Sequence, residues 1–161
     1  MRLLLILSCV ALWPAWGQAQ ARPPATALTA ARDLTADARV MRAERIPMLV
    51  LFAQRDCSWC ERTRREFLLP MQKDPAEAAR VRMRQINIDS DAPLTDFSGH
   101  HTTHRAFARA HQASLTPTLM FFGPDGEQLA EAIVGFQTAD FYGATIDQGI
   151  AQSLARLRAA R

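Results

Sequence analysis

The chain has 161 residues, of which 48% are hydrophobic and 22% are charged, a composition that suits one globular domain with a hydrophobic core. Its formal net charge is only +3, and the basic residues are spread along the chain instead of forming a block or alternating with aromatic residues. Nothing in this distribution indicates nucleic-acid binding, so we predict no nucleic-acid partner.

The N-terminal residues have the pattern of an export signal. Arg2 supplies the positive charge, residues 3–13 are apolar, and Ala19-Gln20-Ala21 fits a signal-peptidase site. The apolar stretch is too short to cross a bilayer, which takes about 20 apolar residues. We therefore expect cleavage after Gly17 or Ala21; an uncleaved membrane anchor is the alternative.

Removal of the signal would leave a periplasmic protein without stable insertion in the membrane. We predict a signal peptide over residues 1–21 and one domain over residues 22–161. The compartment matters for the cysteines, because two neighbouring thiols outside the cytosol oxidise unless a reductant acts on them.

The first half of the domain predicts a helix, a strand and a second helix. The Ala-rich residues 26–44 are predicted to be helical, and the continuous apolar run over residues 47–53 predicts a central strand covered on both faces. Asp56 is placed to cap the second helix, and Pro70, which lacks a backbone donor, should bend or end it. The buried face of this helix is predicted to contain Phe67, Leu68 and Met71.

The second half predicts a strand, an irregular stretch, a short helix, a hairpin and a final helix. Residues 81–89 alternate apolar and polar side chains, the period of a strand, whereas residues 90–104 are polar, rich in turn formers and predicted to be irregular. Residues 103–113 predict the short helix, and residues 118–136 predict a hairpin around a Pro-Asp-Gly turn. The final amphipathic helix begins at Ala139, and its predicted core-facing residues are Phe141, Ile146, Ile150, Leu154 and Leu157.

Cys57 and Cys60 are the only cysteines outside the predicted signal, and they follow the first predicted strand. Residues three apart on a helix share a face, with Cβ atoms about 5–6 Å apart. A disulfide needs about 3.5–4.5 Å between these atoms, so a modest adjustment would close or open the bond. Cys57 is placed at the helix N-terminus, where unpaired N–H groups favour a thiolate. We predict Cys57 as the attacking nucleophile and Cys60 as the thiol that resolves the mixed disulfide.

Three other roles for the cysteine pair were compared with redox exchange. A structural disulfide would close a loop too short to stabilise the fold much, and a zinc site needs four ligands where only two thiols are present. A c-type haem needs a histidine directly after the second cysteine, and Glu61 stands there. We predict no cofactor. A binding domain held by an inert disulfide is the plainest alternative.

All four histidines lie within 12 residues of one another, at His100, His101, His104 and His111. If residues 100–104 were helical, His100 and His104 could bind copper or zinc together with the thiols. Because the surrounding residues are polar and turn-rich, we favour a solvated loop and predict no metal site. A non-catalytic metal-binding or metal-delivery module that uses the cysteines and these histidines is the alternative function.

The order of elements and three motifs resemble the thioredoxin-like superfamily. The motifs are Cys57-Ser58-Trp59-Cys60 after a buried strand, Thr116-Pro117-Thr118 before another strand, and Gly135 at the end of the hairpin. More narrowly, the chain is similar to exported bacterial thiol:disulfide oxidoreductases, including thioredoxin-like proteins encoded with sulfur-oxidation systems. The resemblance implies an α/β thioredoxin fold, with a central mixed sheet and helices on both of its faces.

The resemblance also implies a site and partners. Pro117 would be cis and face the two cysteines, Thr116 would touch them, and Trp59, Thr116 and Pro117 would contact the substrate. The partners would be protein thiols or disulfides, with electrons from a membrane-bound donor, and reduction is the direction we favour over oxidation or isomerisation. Thioredoxin has a buried acid where this chain has Leu51 and Gly-Pro where it has Ser58-Trp59. These departures favour a more specialised partner than a general reductase has.

Overall fold

The computed structural model describes residues 27–159; the predicted signal peptide over residues 1–21 and both ends of the predicted domain lie outside the described residues. The helices are α1 (Leu34–Glu44), α2 (Ser58–Thr63), α3 (Leu69–Lys73), α4 (Pro75–Ala78), α5 (His104–Ala110) and α6 (Ala139–Ala159), and a π-helical turn, Arg64–Leu68, joins α2 to α3. The strands are β1 (Met48–Ala53), β2 (Arg82–Asn87), β3 (Pro93–Thr95), β4 (His101–Thr103), β5 (Thr118–Phe122) and β6 (Ile133–Val134).

The main sheet is mixed and has the strand order β2-β1-β5-β6. β1 runs parallel to β2 and antiparallel to β5, so Val50 pairs with Arg84 on one side and with Met120 on the other. β5 pairs with the short β6 in the antiparallel direction. Every residue of β1 is buried, which confirms the predicted central strand.

The side chains of β1 alternate between two hydrophobic cores, one on each face of the sheet. Leu49 and Leu51 pack in one core together with Ile146 of α6. Val50 and Phe52 pack in the other core together with residues of α1 and α5. The predicted fold class, α/β with a mixed sheet flanked by helices on both faces, is therefore confirmed.

The first helix begins at Leu34, which corrects the predicted start at residue 26. Asp33 caps the helix, because its carboxylate accepts a hydrogen bond of 2.9 Å from the Ala36 N–H. Before the cap, the chain is extended along β2: the Ala31 N–H donates to the Gln85 carbonyl and the Gln85 N–H donates to the Thr29 carbonyl. Alanine has the highest helix propensity, but propensity is weak compared with tertiary contacts, and pairing with the open edge of β2 overrides it here.

The second helical segment differs from its prediction at both ends. Its N-cap is Cys57, not Asp56, whose φ of +56° is left-handed. The segment also continues past Pro70 to the end of α3, through the π-helical turn in which the Leu69 N–H donates to the Arg64 carbonyl. The wider turn lies directly before the proline, whose missing N–H would leave a gap in a regular helix. On the predicted buried face, Leu68 is fully buried and Phe67 and Met71 are partly buried.

The stretch predicted to be irregular, residues 90–104, contains the antiparallel hairpin of β3 and β4 and the first residue of α5. The solvated-loop interpretation is wrong for His104, which is 2% exposed. Its Nδ1 accepts a hydrogen bond from the Asn87 N–H at 3.1 Å, and its Nε2 lies 2.8 Å from the Ala31 carbonyl oxygen. Because Nδ1 accepts, the neutral ring donates through Nε2. His104 thus joins three segments of the fold.

The hairpin after β5 is confirmed, with its turn closed by the Gly126 N–H donating to the Gly123 carbonyl. In α6, however, Phe141 is 68% exposed and Tyr142 is fully buried, so the predicted core position of Phe141 is wrong. The reason is a close approach at Gly149, where a Cβ atom would lie 2.3 Å from the Phe121 ring. This contact sets the rotation of the helix and directs Tyr142 towards the sheet.

A buried ion cluster joins α1 to β2. The Asp37 carboxylate is 5% exposed and accepts hydrogen bonds from Arg82 Nε at 2.6 Å and from Arg84 Nε at 2.8 Å. One carboxylate therefore serves two guanidinium groups, both of which lie largely out of solvent. Removing the shared partner would leave two partly buried positive charges close together.

We predict that Asp37→Asn lowers the free energy of unfolding by about 3 kcal/mol, the lower end of the range for breaking a buried pair, because the Arg82 side chain retains some contact with water. Urea unfolding followed by circular dichroism measures the change. Asp91→Asn is the matched control, since Asp91 pairs with Arg105 at the surface and exposed pairs contribute little. Equal effects of the two substitutions would contradict the structural role given to Asp37.

Candidate redox site

The two cysteines lie where β1 ends and α2 begins, and they are joined by a disulfide. The sulfur atoms are 2.04 Å apart and the Cα atoms 5.2 Å apart. Cys57 is the N-cap of α2, and its Sγ accepts a hydrogen bond of 3.0 Å from the Cys60 N–H. The local sequence explains this placement. The buried strand β1 ends at Ala53, and Asp56, which has a left-handed backbone, turns the chain into the helix.

The two sulfurs have different surroundings. Cys57 is half-buried, whereas Cys60 is 1% exposed and shares a core with Leu51. The order of exposure is the one that the sequence predicts. In the reduced protein, the Cys60 N–H at the helix N-terminus would stabilise a thiolate on Cys57. The roles of nucleophile and resolving thiol stay predictions.

The structure brings the second and third motifs to the same place. The Thr116-Pro117 peptide bond is cis, and the Thr116 hydroxyl donates to Cys57 Sγ across 3.6 Å. The Pro117 carbonyl accepts a hydrogen bond of 2.8 Å from the Gly135 N–H. Gly135 has a φ of +78°, which glycine adopts without strain. The three motifs therefore meet around the disulfide, although they are far apart in the sequence.

An aromatic stack covers the outer side of α2. Trp59 is 52% exposed, and its ring lies 5.1 Å from that of Phe136 with an angle of 22° between the planes. The Arg62 guanidinium lies 4.9 Å from the Phe136 ring and 5.8 Å from the Trp59 ring, within the range of cation–π contacts. Sequence reasoning missed Phe136 and the contacts of Arg62 with the two rings. The available signals were the three-residue spacing from Trp59 and the position directly after Gly135.

A polar cavity of about 590 Å³ lies beside Cys57, and we call it the Cys57 cavity. It opens at the carboxyl ends of the parallel strands β1 and β2, and Ser58 and Glu61 of α2 line its outer part. Arg64, Gln85 and Asn87, which we call the inner lining, are half-buried, and so are Asp89 and Ser90 of the loop that follows β2. The Asp89 carboxylate accepts a hydrogen bond of 3.0 Å from the Arg55 N–H. Sequence reasoning missed the inner lining too. Two carboxamides two residues apart on a strand were the signal that could have found part of it.

The histidines form no metal-binding group with the cysteines in the part of the chain that the structure describes. None of the four lines the Cys57 cavity, and in residues 27–159 no three His, Cys, Asp or Glu side chains form a group that could hold a metal ion. His100 is exposed, whereas His111 packs against Phe107 and Phe122, and burial lowers the pKa of the His111 imidazole. Within the same described residues, no helix combines the length and apolar character needed to cross a bilayer.

Solved structures with a similar fold are thioredoxins and related proteins. Oxidised mitochondrial thioredoxin 3 from Saccharomyces cerevisiae is 17% identical over 77% of this chain and 93% of that chain, with a TM-score of 0.51. The reduced periplasmic thioredoxin SoxS from Paracoccus pantotrophus is 17% identical over 66% of this chain and 98% of that chain, with a TM-score of 0.47. At this identity, the likeness to thioredoxin 3 shows the fold alone.

Sequence comparison gives the family directly. No curated protein sequence matches the chain significantly, but residues 34–150 match the family described as a thioredoxin-like domain. This match covers most of the chain and includes the disulfide, the cis proline and all four strands of the main sheet. The chain therefore belongs to the thioredoxin-like superfamily.

Proposed function

We propose that this protein is an exported thiol:disulfide oxidoreductase that exchanges disulfides with protein substrates and acts as a reductant. The observation that carries the proposal is the disulfide between Cys57 and Cys60 at the start of a helix in a thioredoxin-like domain. One sulfur is accessible and the other is buried directly behind it. A pair placed in this way can react with a second protein and then release it.

The exchange proceeds in two steps in the reducing direction. The Cys57 thiolate attacks one sulfur of a substrate disulfide, a mixed disulfide forms, and the second substrate sulfur leaves as a thiolate. The Cys60 thiolate then attacks Cys57 Sγ and displaces the first substrate sulfur. The protein ends with the Cys57–Cys60 disulfide, and the substrate has gained two electrons and, from solvent, two protons. A donor dithiol restores the starting state by the reverse reaction.

The substrate would contact Trp59, Thr116 and Pro117. Trp59 projects beside the disulfide, and the Thr116 hydroxyl reaches the sulfur that would form the mixed disulfide. Two further exposed apolar residues border this surface in sequence: Leu115 precedes Thr116, and Val134 pairs with Thr118. Apolar side chains of this size, left open beside a reactive sulfur, favour a protein partner over a small solute.

Export is proposed from the N-terminal pattern of residues 1–21, which places the protein in the periplasm. A redox-active disulfide persists in such a compartment, since it lacks the thiol reductants of the cytosol. A reductant that works there needs electrons from elsewhere, and a membrane-bound donor is the partner we propose for this step. The fully buried Leu51, in the core beside Cys60, supports a more specialised role than that of a general reductase.

The first prediction from this proposal concerns the reactivity of the two thiols. In the reduced protein, iodoacetamide should label Cys57 faster than Cys60, because Cys57 is more exposed and lies at the helix N-terminus. Peptide mapping after short labelling times gives the two rates. In the denatured chain the two rates should be similar, and faster labelling of Cys60 in the folded protein would reverse the proposed roles.

The second prediction concerns the mixed disulfide. Cys60→Ala should trap covalent complexes with exported proteins, because the intermediate has lost the thiol that resolves it. Cys57→Ala should trap far less, since the remaining thiol is buried. Non-reducing electrophoresis detects the complexes, and dithiothreitol should release the partners.

The enzyme proposal also requires turnover by the unaltered pair, measured as reduction of insulin disulfides. If Cys60→Ala traps no partner and the unaltered protein neither reduces insulin nor reshuffles a scrambled substrate, the proposal fails. An inert disulfide, or a metal-binding module if copper or zinc then binds stoichiometrically, would explain the domain better.

The third prediction concerns the direction of electron flow. A reductant should have a reduction potential near that of thioredoxin, about −270 mV, whereas a value near about −120 mV would indicate an oxidant. Trp59 is the only tryptophan after residue 16, so its fluorescence should report the redox state during titration in dithiothreitol buffers. Cys57→Ala, which cannot form the bond, provides the control for other fluorescence changes.

A further inference from the structure

The Cys57 cavity lies where ligands commonly bind in open α/β sheets. β1 and β2 are parallel neighbours, and the cavity opens beyond their carboxyl ends, at Ala53 and Asn87. Ligands in such sheets bind in the crevice outside the carboxyl ends of the strands. A group held here would lie beside Cys57 during exchange.

The inner lining is a chain of hydrogen bonds whose direction is set by Arg64. Arg64 Nε can only donate, and it bonds Gln85 Oε1 at 2.9 Å. Gln85 must then turn its Nε2 towards Asn87, where it donates to Oδ1 at 2.7 Å. This order leaves the Asn87 Nδ2 group pointing away from the chain of bonds. The side-chain amides therefore have no freedom to exchange their donor and acceptor ends.

The groups left without partners in the inner lining are N–H donors. Arg64 Nη1 pairs with the Glu61 carboxylate, but Arg64 Nη2 and Asn87 Nδ2 have no hydrogen-bond partner within residues 27–159. The Arg64 side chain is only 17% exposed, so its charge is less screened by water than a surface charge is. Such a pair of donors, one of them charged, matches the oxygens of a carboxylate.

The backbone holds Arg64 in this position. Arg64 is the first residue of the π-helical turn, and its carbonyl accepts the hydrogen bond from the Leu69 N–H. Turns of this kind are rare and occur often at functional sites. The side chain reaches from the helix to Gln85 of β2, which lies 21 residues further along the chain. These contacts hold the Arg64 side chain in one position, unlike that of an exposed arginine.

We infer that the Cys57 cavity binds a carboxylate that the substrate carries close to its reacting sulfur, and that Arg64 and Asn87 are the residues that recognise it. The inference rests on the proposed function, since it describes the substrate of the same exchange. The Cys57 thiolate attacks a disulfide R–S–S–R, Cys57–S–S–R forms and R–S⁻ leaves. The carboxylate on the retained R group then lies against Arg64 Nη2 and Asn87 Nδ2.

Three small disulfides whose arms each have two methylene groups test this inference: 3,3′-dithiodipropionate, bis(2-hydroxyethyl) disulfide and cystamine. Their arms end in a carboxylate, a hydroxyl and an ammonium group. The reduced Cys60→Ser variant, which performs the first step alone, reacts with each, and mass spectrometry gives the rate of mixed-disulfide formation. Each rate is divided by the rate of the same reagent with the denatured variant, which corrects for the different leaving groups. Because all three reagents meet the same thiolate, ratios between them cancel any change in its protonation.

We expect the corrected rate for the carboxylate reagent to exceed that for cystamine about tenfold, the effect of one hydrogen bond to a charged group. Arg64→Gln should bring this ratio close to one, and Asn87→Ala should lower it in part. Glu61→Gln should raise the ratio, since it removes the carboxylate that already occupies Arg64 Nη1. The matched control Arg156→Gln changes an exposed arginine on α6 outside the cavity and should keep the ratio.

Equal corrected rates for the three reagents, or a preference that survives Arg64→Gln, would overturn the inference. A preference lost in Arg55→Gln instead would also overturn it, because Arg55 is exposed at the rim and acts only through long-range attraction. If Arg64→Gln does not fold, the partial loss of preference expected for Asn87→Ala, which changes no charge, decides the question. A protein that reduces insulin without a carboxylate preference keeps the proposed function and loses this inference.

The source of the carboxylate is decided by a second pair of substrates. Two disulfide-linked peptides differ only in Glu or Gln beside the reacting cysteine, and their rates are compared with Cys60→Ser and with its Arg64→Gln form. Faster reaction of the Glu peptide, lost in Arg64→Gln, assigns the cavity to an acidic residue of a protein substrate. Equal peptide rates together with the preference among small disulfides assign it to a small carboxylated thiol.

Discussion

Complete burial of β1 is the constraint on which the rest of the structure depends. The strand pairs on both sides and packs on both faces, so its backbone and side chains have no contact with water. Such a strand must be covered by helices on each face, and its neighbours must supply the remaining hydrogen bonds. The cysteine pair is placed by this strand, because the chain leaves the core at Ala53 and can only turn into α2 there.

The cysteine pair is held by one helix and lies between two different surfaces. The helix fixes both sulfurs relative to the sheet, and the Thr116-Pro117 segment approaches from β5 on one side. The Trp59 stack and the Cys57 cavity lie around the same sulfur, one largely aromatic and one polar. A substrate that met both surfaces would be recognised by its shape and by its charge, which a flat apolar surface alone would not achieve.

The parts of the fold that sequence predicted best are those in which local pattern and burial agree. The apolar run of β1, the turn after β5 and the position of the cysteine pair follow from composition and spacing. The start of α1 could not be predicted, since the alanines before Asp33 pair with β2 only after the sheet exists. Phe141 and Tyr142 are adjacent and both aromatic, and the tertiary contacts that bury Tyr142, with Phe67 and Phe136, cannot be seen in the local sequence.

The candidate site shows the same division. Cys57 and Cys60 could be identified from their spacing, and Thr116 and Pro117 from a resemblance. Arg64 could not, because its role depends on a hydrogen bond to Gln85 that forms only when α2 packs beside β2. The burial of His104 was missed for a related reason. A polar stretch of sequence does not reveal that the His104 ring will bond the Asn87 N–H and the Ala31 carbonyl in the folded protein.

The extended residues before α1 have a consequence for where the domain begins. The family match starts at residue 34, yet Thr29 and Ala31 exchange hydrogen bonds with Gln85, and the Ala31 carbonyl pairs with His104. Gln85 and His104 are both connected to the Cys57 cavity. The Gln85 side chain lines it, and His104 bonds the backbone of Asn87, which also lines it. Trimming the chain back to the helix would therefore leave the outer edge of β2 without these hydrogen bonds and would remove the carbonyl partner of His104. The folded domain therefore extends further towards the N-terminus than the residues that match the family.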